Sequence, residues 1–352
     1  MKYINLDNFG RQKDPFYFAL EKHLLQKTGD FSFIWAVFPA VIIGKHQVLR
    51  KEVNLNYLKE NNIQIYRRPS GGGAVYSDEG CIKYTFIRRN ITKDEMYKES
   101  LTVIKDFLKT LGLEVEFSGR NDLVINGAKF SGNAYYQTKD GMVLHGTILY
   151  DTDMEKLSQV LTPSEDKIRS KGVKSVKSRV INLSSLLNMK REEFLTKFKN
   201  CLSKNERYLT KDEASELDDD ILMFSSNDYI YGREPKYSIT TSKRFYFGEV
   251  VMNYEVSNNK IIEIMITGDF FEKEQVNELE QKLVGFDLTS DTLGFNVGNY
   301  IENMTNIDLI KLLKGWKNER KYSILGKINT TVWNTKRTRS YIYWLCRLLY
   351  AS

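Results

Sequence analysis

Apolar positions recur along this chain in two rhythms. Between Phe16 and Lys27 they fall three and four residues apart, the period of one helix face, and His23 is expected on its exposed side. The same period predicts helices over Thr92–Leu111, Asp153–Val160, Glu272–Leu283 and Asn306–Leu313. Thr92-Lys93-Asp94-Glu95 is a capping box, in which threonine and glutamate each satisfy a free backbone N–H of the other end. Strict alternation marks strands at Ile63–Tyr66 and Ile82–Ile87. Gly119–Ala134 reads as two short strands joined at Asn126-Gly127, the strongest short hairpin signal. From about Lys243 the rhythm changes. Phe245–Val256 and Lys260–Thr267 alternate like two strands joined at Asn258-Asn259, followed by the last two helices.

Between the first pair of strands lies Arg67-Arg68-Pro69-Ser70-Gly71-Gly72-Gly73-Ala74-Val75-Tyr76. Three glycines remove every side chain from a turn, so a ligand can reach backbone N–H groups. Two arginines upstream can pair with phosphate or carboxylate. The glycines join strand to strand, which excludes the phosphate loop and the dinucleotide fingerprint, both of which open a helix. Either this is a flexible hairpin tip or it is an anion site. The second segment places Lys129 just beyond the Asn-Gly turn, beside small residues. That lysine is either solvated or aimed into a pocket. Asp122 is either a surface carboxylate or a metal ligand. No two of the three histidines have metal-ligand spacing, which argues against zinc.

Composition changes the picture little. The 352 residues suffice for two domains and a sizeable core. The net charge of +7 is diluted among 45 acidic residues. It suits anionic substrates and acidic partner proteins, and leaves a nucleic-acid-binding module as a lesser alternative in which aromatic residues stack bases. The first residues lack the basic-then-apolar order of a signal peptide, and no run of about 18 apolar residues predicts a membrane span. Three cysteines without a pairing pattern point to a reducing compartment, so a cytoplasmic location is expected.

The glycine loop and the Lys129 segment together resemble the lipoate–protein ligase A family. Three more elements match in the same order: Trp35 to Gln47, the strand Leu144-His145-Gly146-Thr147, and Lys174-Ser175-Val176-Lys177-Ser178-Arg179-Val180-Ile181-Asn182-Leu183. The resemblance covers roughly residues 1 to 315. It implies an α+β fold, a mixed and largely antiparallel sheet with flanking helices as in biotin ligases and class II aminoacyl-tRNA synthetases. It also implies a catalytic domain over 1–242 and a small α/β accessory domain over 243–315, and it fades over a basic aromatic tail, 316–352. The implied reaction uses ATP, magnesium and lipoic acid to form lipoyl-AMP. The lipoyl group then passes to a lysine of a lipoyl carrier domain, in a 2-oxoacid dehydrogenase or the glycine-cleavage H protein. By the resemblance, Arg68, Gly73, Ala74, Val75, Tyr76 and Lys129 meet ATP. Trp35, Ser70, Gly71, Gly72, Lys129, Gly132, Ala134, His145 and Gly146 meet lipoate, and Asp122 is the candidate magnesium ligand. Lys129 is the expected catalytic residue, acting electrostatically on both carboxylate and phosphate. Thr162–Ser178, basic and glycine-containing, is expected to act as a flap or else to be a solvated loop.

Where most members carry histidine and asparagine, this chain has Ser77 and Cys81. Cys81 raises an alternative, an ATP-independent amidotransferase carrying the acyl group as a thioester, unless it is an inert buried cysteine. The tail after Gly315 holds three of the four tryptophans and one acidic residue, Glu319. It fits a packed helix better than a partner- or membrane-contacting segment.

Overall fold

The computed structural model describes residues 1–119, 121–161 and 180–315. The expected flap over Thr162–Ser178 and the tail 316–352 lie outside these residues. Among the described residues, fourteen strands build three sheets. The largest runs in the order β11 (Glu206–Tyr208), β1 (Lys2–Asn5), β2 (Phe31–Trp35), β6 (Cys81–Arg88), β10 (Gly141–Leu149), β9 (Ala128–Thr138), β8 (Asp122–Ile125) and β7 (Glu116–Ser118). Only the β11–β1 and β1–β2 pairs are parallel. The sheet is therefore mixed and largely antiparallel, as expected.

β6 lies between β2 and β10, and both of its faces are covered. Ile82, Tyr84 and Phe86 pack into one core with Phe107, Phe194 and Phe198. Lys83 and Thr85 turn to the opposite face, beneath the helix Asp14–Gln26. That helix starts at a proline in its first turn, where the missing N–H costs nothing. Its outer face is also buried, because Leu217, Phe224 and Ile230 pack over Phe18 and its neighbours. This corrects the reading of His23: it is buried, with its Nδ1 3.6 Å from a Glu216 carboxylate oxygen. The helix Lys93–Thr110 carries the expected capping box at Thr92 and Glu95. The Asn126-Gly127 turn joins β8 to β9 with φ of 51° and 75°, the left-handed pair that a tight hairpin needs.

A three-stranded sheet holds β4 (Gln64–Arg67), β3 (Ala40–Ile43) and β5 (Val75–Ser77). The glycine loop spans from β4 to β5, strand to strand as the sequence implied. The third sheet, β12 (Ile239–Phe245), β13 (Gly248–Ser257) and β14 (Lys260–Gly268), is antiparallel and buries its apolar face against helices Val276–Leu283 and Asn306–Leu313. Alternation missed β12, because the chain reverses at Tyr246-Phe247 inside what reads as one apolar run. The helix expected from Glu272 begins at Val276. Glu272 instead bridges Ile301 in extended backbone and turns its carboxylate inward.

That carboxylate fastens the segment after β14 to the loop after β3. His46 is fully buried, stacks on Phe270 with ring centres 5.0 Å apart, and donates from Nε2 to Glu272 at 2.9 Å. Lys45 ion-pairs with the same carboxylate. Burial pushes His46 down to about 4 despite Glu272 beside it. Burial alone would raise Glu272, but the hydrogen bond from His46 and the charges of His46 and Lys45 hold it at about 2. Both groups take up protons more readily in the unfolded chain, so stability falls as pH drops. The His46 part is lost between pH 6.5 and about 4, the Glu272 part between 4.5 and about 2. Denaturant unfolding is expected to lose about 3 kcal/mol through His46 between pH 7 and 4. In His46→Gln that stretch of the pH profile should flatten; a slope equal to the parent's would contradict the assignment.

Candidate active site

The antiparallel register lines up one row of side chains across the large sheet. Trp35 lies opposite Lys83, Lys83 opposite Thr147, and Asp122 opposite Gly132. The Thr147 hydroxyl joins the middle of the row, 3.4 Å from both Gly132 N and Gly132 O. Two residues along, on the same face, come Thr85, His145 and Ala134. The helix Asp14–Gln26 and the glycine loop complete a cavity of about 140 Å³ over these rows.

The residues expected from the sequence divide into three groups. Trp35, Arg68, Gly73, Ala74, Val75, Lys129, Gly132, Ala134, His145 and Gly146 line the cavity. Ser70 lies behind the wall. Its hydroxyl meets His145 Nε2 at 2.6 Å and accepts from Arg68 Nε at 3.0 Å. Gly71, Gly72, Tyr76 and Asp122 do not line it. Tyr76 turns its ring into a separate core with Val41 and Ile43. Asp122 stands beside the cavity and reaches it only through Lys129, whose Nζ is 2.7 Å from Asp122 Oδ1. Lys129 is held there by a main-chain bridge, in which Ile181 N donates to Lys129 O at 2.9 Å.

The glycines and arginines act differently from what their pattern suggested. A Cβ on Gly71 would lie 2.3 Å from Phe270 O, and one on Gly44 would lie 2.1 Å from Gly72 O. Gly72, with φ of +87°, donates its N–H to Phe270 O at 3.3 Å. Two of the three glycines thus serve close packing, and Gly73 alone opens on the cavity. Arg68 gives Nε to Ser70, Nη1 to Ile42 O, and Nη2 to Gly71 O and Gly73 O. Arg67 is bonded throughout to main-chain oxygens of Gly44, Lys45, Gln47, Tyr229 and Ile230. Burial pulls both guanidinium groups down to about 10, so both stay charged at neutral pH. Arg67 staples the loop after β3 and Arg68 the glycine loop, with Arg68 turning one edge to the cavity.

Sequence reading missed the residues that support this wall from below. Glu21, fully buried, accepts from Thr85 at 2.8 Å and faces His145 Nδ1 at 2.9 Å. Thr85 accepts from Trp35 Nε1 at 3.0 Å. A continuous chain therefore runs Arg68–Ser70–His145–Glu21–Thr85–Trp35. Lys83 pairs with Asp14 at 2.6 Å, both buried and both on the cavity wall. The available signal was a polar residue at every second place of an otherwise apolar strand, Lys83 and Thr85, opposite acidic residues on an apolar helix. Cys81 is fully buried, and its surroundings push the thiol up to about 12. It does not line the cavity, and burial keeps it a thiol at neutral pH; both speak against the thioester alternative. Among the described residues no group of three acidic, histidine or cysteine side chains could hold a metal ion, and no helix is long and apolar enough to cross a membrane.

Comparison with known proteins decides the family. Residues 14–203 match the lipoyl protein ligase A/B catalytic domain and residues 234–313 the bacterial lipoate protein ligase C-terminus. The lipoate-protein ligase LplJ of Bacillus subtilis is 37% identical over 295 residues, 78% of this chain and 88% of that protein. The chain belongs to the lipoate–protein ligase A family. Two solved structures share this family's fold. P. falciparum LipL1 in complex with lipoate has a TM-score of 0.70 at 22% identity, covering 89% of this chain and 97% of that one. A lipoate-protein ligase A bound with ATP has a TM-score of 0.57 at 22% identity, covering 66% and 99%. Within this family fold, Cys81 is a packing residue. Cys81→Ser is expected to keep full acyl-transfer activity, with a modest loss of melting temperature; loss of transfer at unchanged stability would restore a catalytic thiol.

Proposed function

We propose that this chain is an ATP-dependent lipoate–protein ligase. The observation that carries the reading is a cavity walled by Phe18, Trp35 and Ile42 with the Lys129 ammonium at its edge. An apolar acyl chain fits the walls, and its carboxylate then meets a cation. The membership in the ligase family and the lipoate and ATP bound to the two fold relatives support the same substrates.

The carboxylate oxygen attacks the α-phosphorus of ATP, and pyrophosphate leaves with the electron pair of the broken P–O bond. Two anions must approach, so a fixed cation lowers the barrier by screening them and by stabilising the charge that gathers on the phosphoryl oxygens. Lys129 has that role, with Asp122 balancing its charge. Next, the ε-amine of a carrier lysine attacks the acyl carbon. The bond to AMP breaks, AMP departs with its electrons, and the amine proton passes to water. Gly73, Ala74 and Val75 line the cavity and leave their main chain open to the nucleotide, while Gly71 and Gly72 shape the loop that carries them. Magnesium would screen the phosphates. The donor set here fits an ion brought in on ATP, with Asp122 as one carboxylate ligand and phosphate and water filling the remainder. The acceptor is a small acidic lipoyl domain, drawn by the chain's net charge of +7, and the setting is the cytoplasm.

The test is exchange of labelled pyrophosphate into ATP, dependent on lipoate. The parent protein is expected to exchange, and Lys129→Ala to lose about 10²- to 10³-fold in rate with its melting temperature kept. Exchange without lipoate, or none with it, would overturn the ligase reading; full exchange by Lys129→Ala would overturn the role of the lysine.

A further inference from the structure

Lys83 is not needed by the reaction as described above, yet it is a buried cation on the cavity wall. It is 3% exposed. Its ammonium has three N–H donors, and its contacts are Asp14 Oδ1 at 2.6 Å and the face of the Trp35 ring at 4.7 Å. Asp14 is 1% exposed, and its second oxygen, Oδ2, has no hydrogen-bond partner among the described residues. A buried charge normally saturates its partners, because each unmet donor or acceptor costs its desolvation. Here a surplus of donors and a spare acceptor border the same cavity.

The sheet register gives this pair a counterpart. Lys83, Thr147, Gly132 and Asp122 lie side by side in one row. Lys129 Nζ reaches over Gly132, 2.8 Å from where a Cβ would be, to pair with Asp122. Each end of the row thus holds a lysine balanced by an aspartate, Lys83–Asp14 inside and Lys129–Asp122 outside. Between them are a hydroxyl and a bare glycine. Three strand spacings separate the ends of this row by about 14 Å, and lysine side chains reaching inward from both ends converge on its middle. An anion seated over Thr147 and Gly132 would be flanked by both ammonium groups, each exchanging part of its aspartate contact for the new one.

We propose that Lys83 is a second cationic contact for the substrate carboxylate and for the acyl phosphate formed from it, acting from the buried side of the cavity opposite Lys129. This rests on the ligase reading. It makes the site a clamp around the reacting anion, and it makes Lys83 a determinant of acid over neutral acyl compounds.

Calorimetric binding of lipoate and of its neutral amide, lipoamide, tests it. Lys83→Gln leaves Asp14 buried and unpaired, so the double variant Asp14→Asn with Lys83→Gln is made beside it to remove both charges. The double variant is expected to bind lipoate about 10- to 100-fold more weakly than the parent, with lipoamide affinity unchanged. Equal weakening for both compounds would mean that the pair only shapes the cavity, and unchanged lipoate binding would mean that Lys83 never meets the carboxylate. Either result overturns the proposal. Failure of the parent protein itself to bind lipoate would overturn the ligase reading, and is distinguishable because it needs no variant.

Discussion

The cavity depends on charge buried between the large sheet and the helix Asp14–Gln26. Glu21 and Asp14 project from that helix onto β6 and β10, where apolar side chains would pack with less risk. Each carboxylate removed from water costs several kcal/mol unless its partners are exact in position. Thr85 and His145 answer Glu21, and Lys83 answers Asp14. Because these bonds have directions, they fix the height and rotation of the helix on the sheet as apolar packing alone would not. Trp35 is held through Thr85, and Ser70 through His145. The cavity wall and the glycine loop inherit their positions from this layer.

The loop itself is held by cations used as scaffolding. A guanidinium with five fixed donors can tie several carbonyl oxygens at once, and a tight loop has many carbonyls with no ladder to join. Arg67 ties the loop after β3 to residues 229 and 230, and Arg68 ties the glycine loop to itself. A sequence reader sees two arginines beside three glycines and infers an anion. The same composition serves equally well where a turn must be rigid and its main chain bare on one side only.

The fold was legible where one rhythm lasted a full element. The capped helix Lys93–Thr110, the Asn126-Gly127 hairpin and the helix Asn306–Leu313 were all visible, because each has its signal within its own residues. β12 was not, since its turn at Tyr246-Phe247 carries aromatic residues in place of the usual glycine or asparagine. His23 was misread because a helix covered on two sides still shows one polar face. Of the site, the family motifs located the wall residues, and local chemistry located Lys129. Glu21, Asp14 and Lys83 escaped because their meaning lies in pairings 64 to 124 residues apart in the chain. Only the register of β6 against β10 and the seat of the helix reveal those pairings.

The contact of Gly71 with Phe270 has a wider consequence. No residue of the third sheet lines the cavity, yet the main chain at Phe270 presses on the glycine loop so closely that a single methyl group at Gly71 would not fit. The inner surface of the loop is thus moulded from outside. A shift of the main chain at Phe270 would carry the loop with it and reshape the cavity without touching anything inside it, as the back of a die sets the face it stamps. The pocket thus has a second tier of determinants, residues that set its shape from a position where no substrate reaches them.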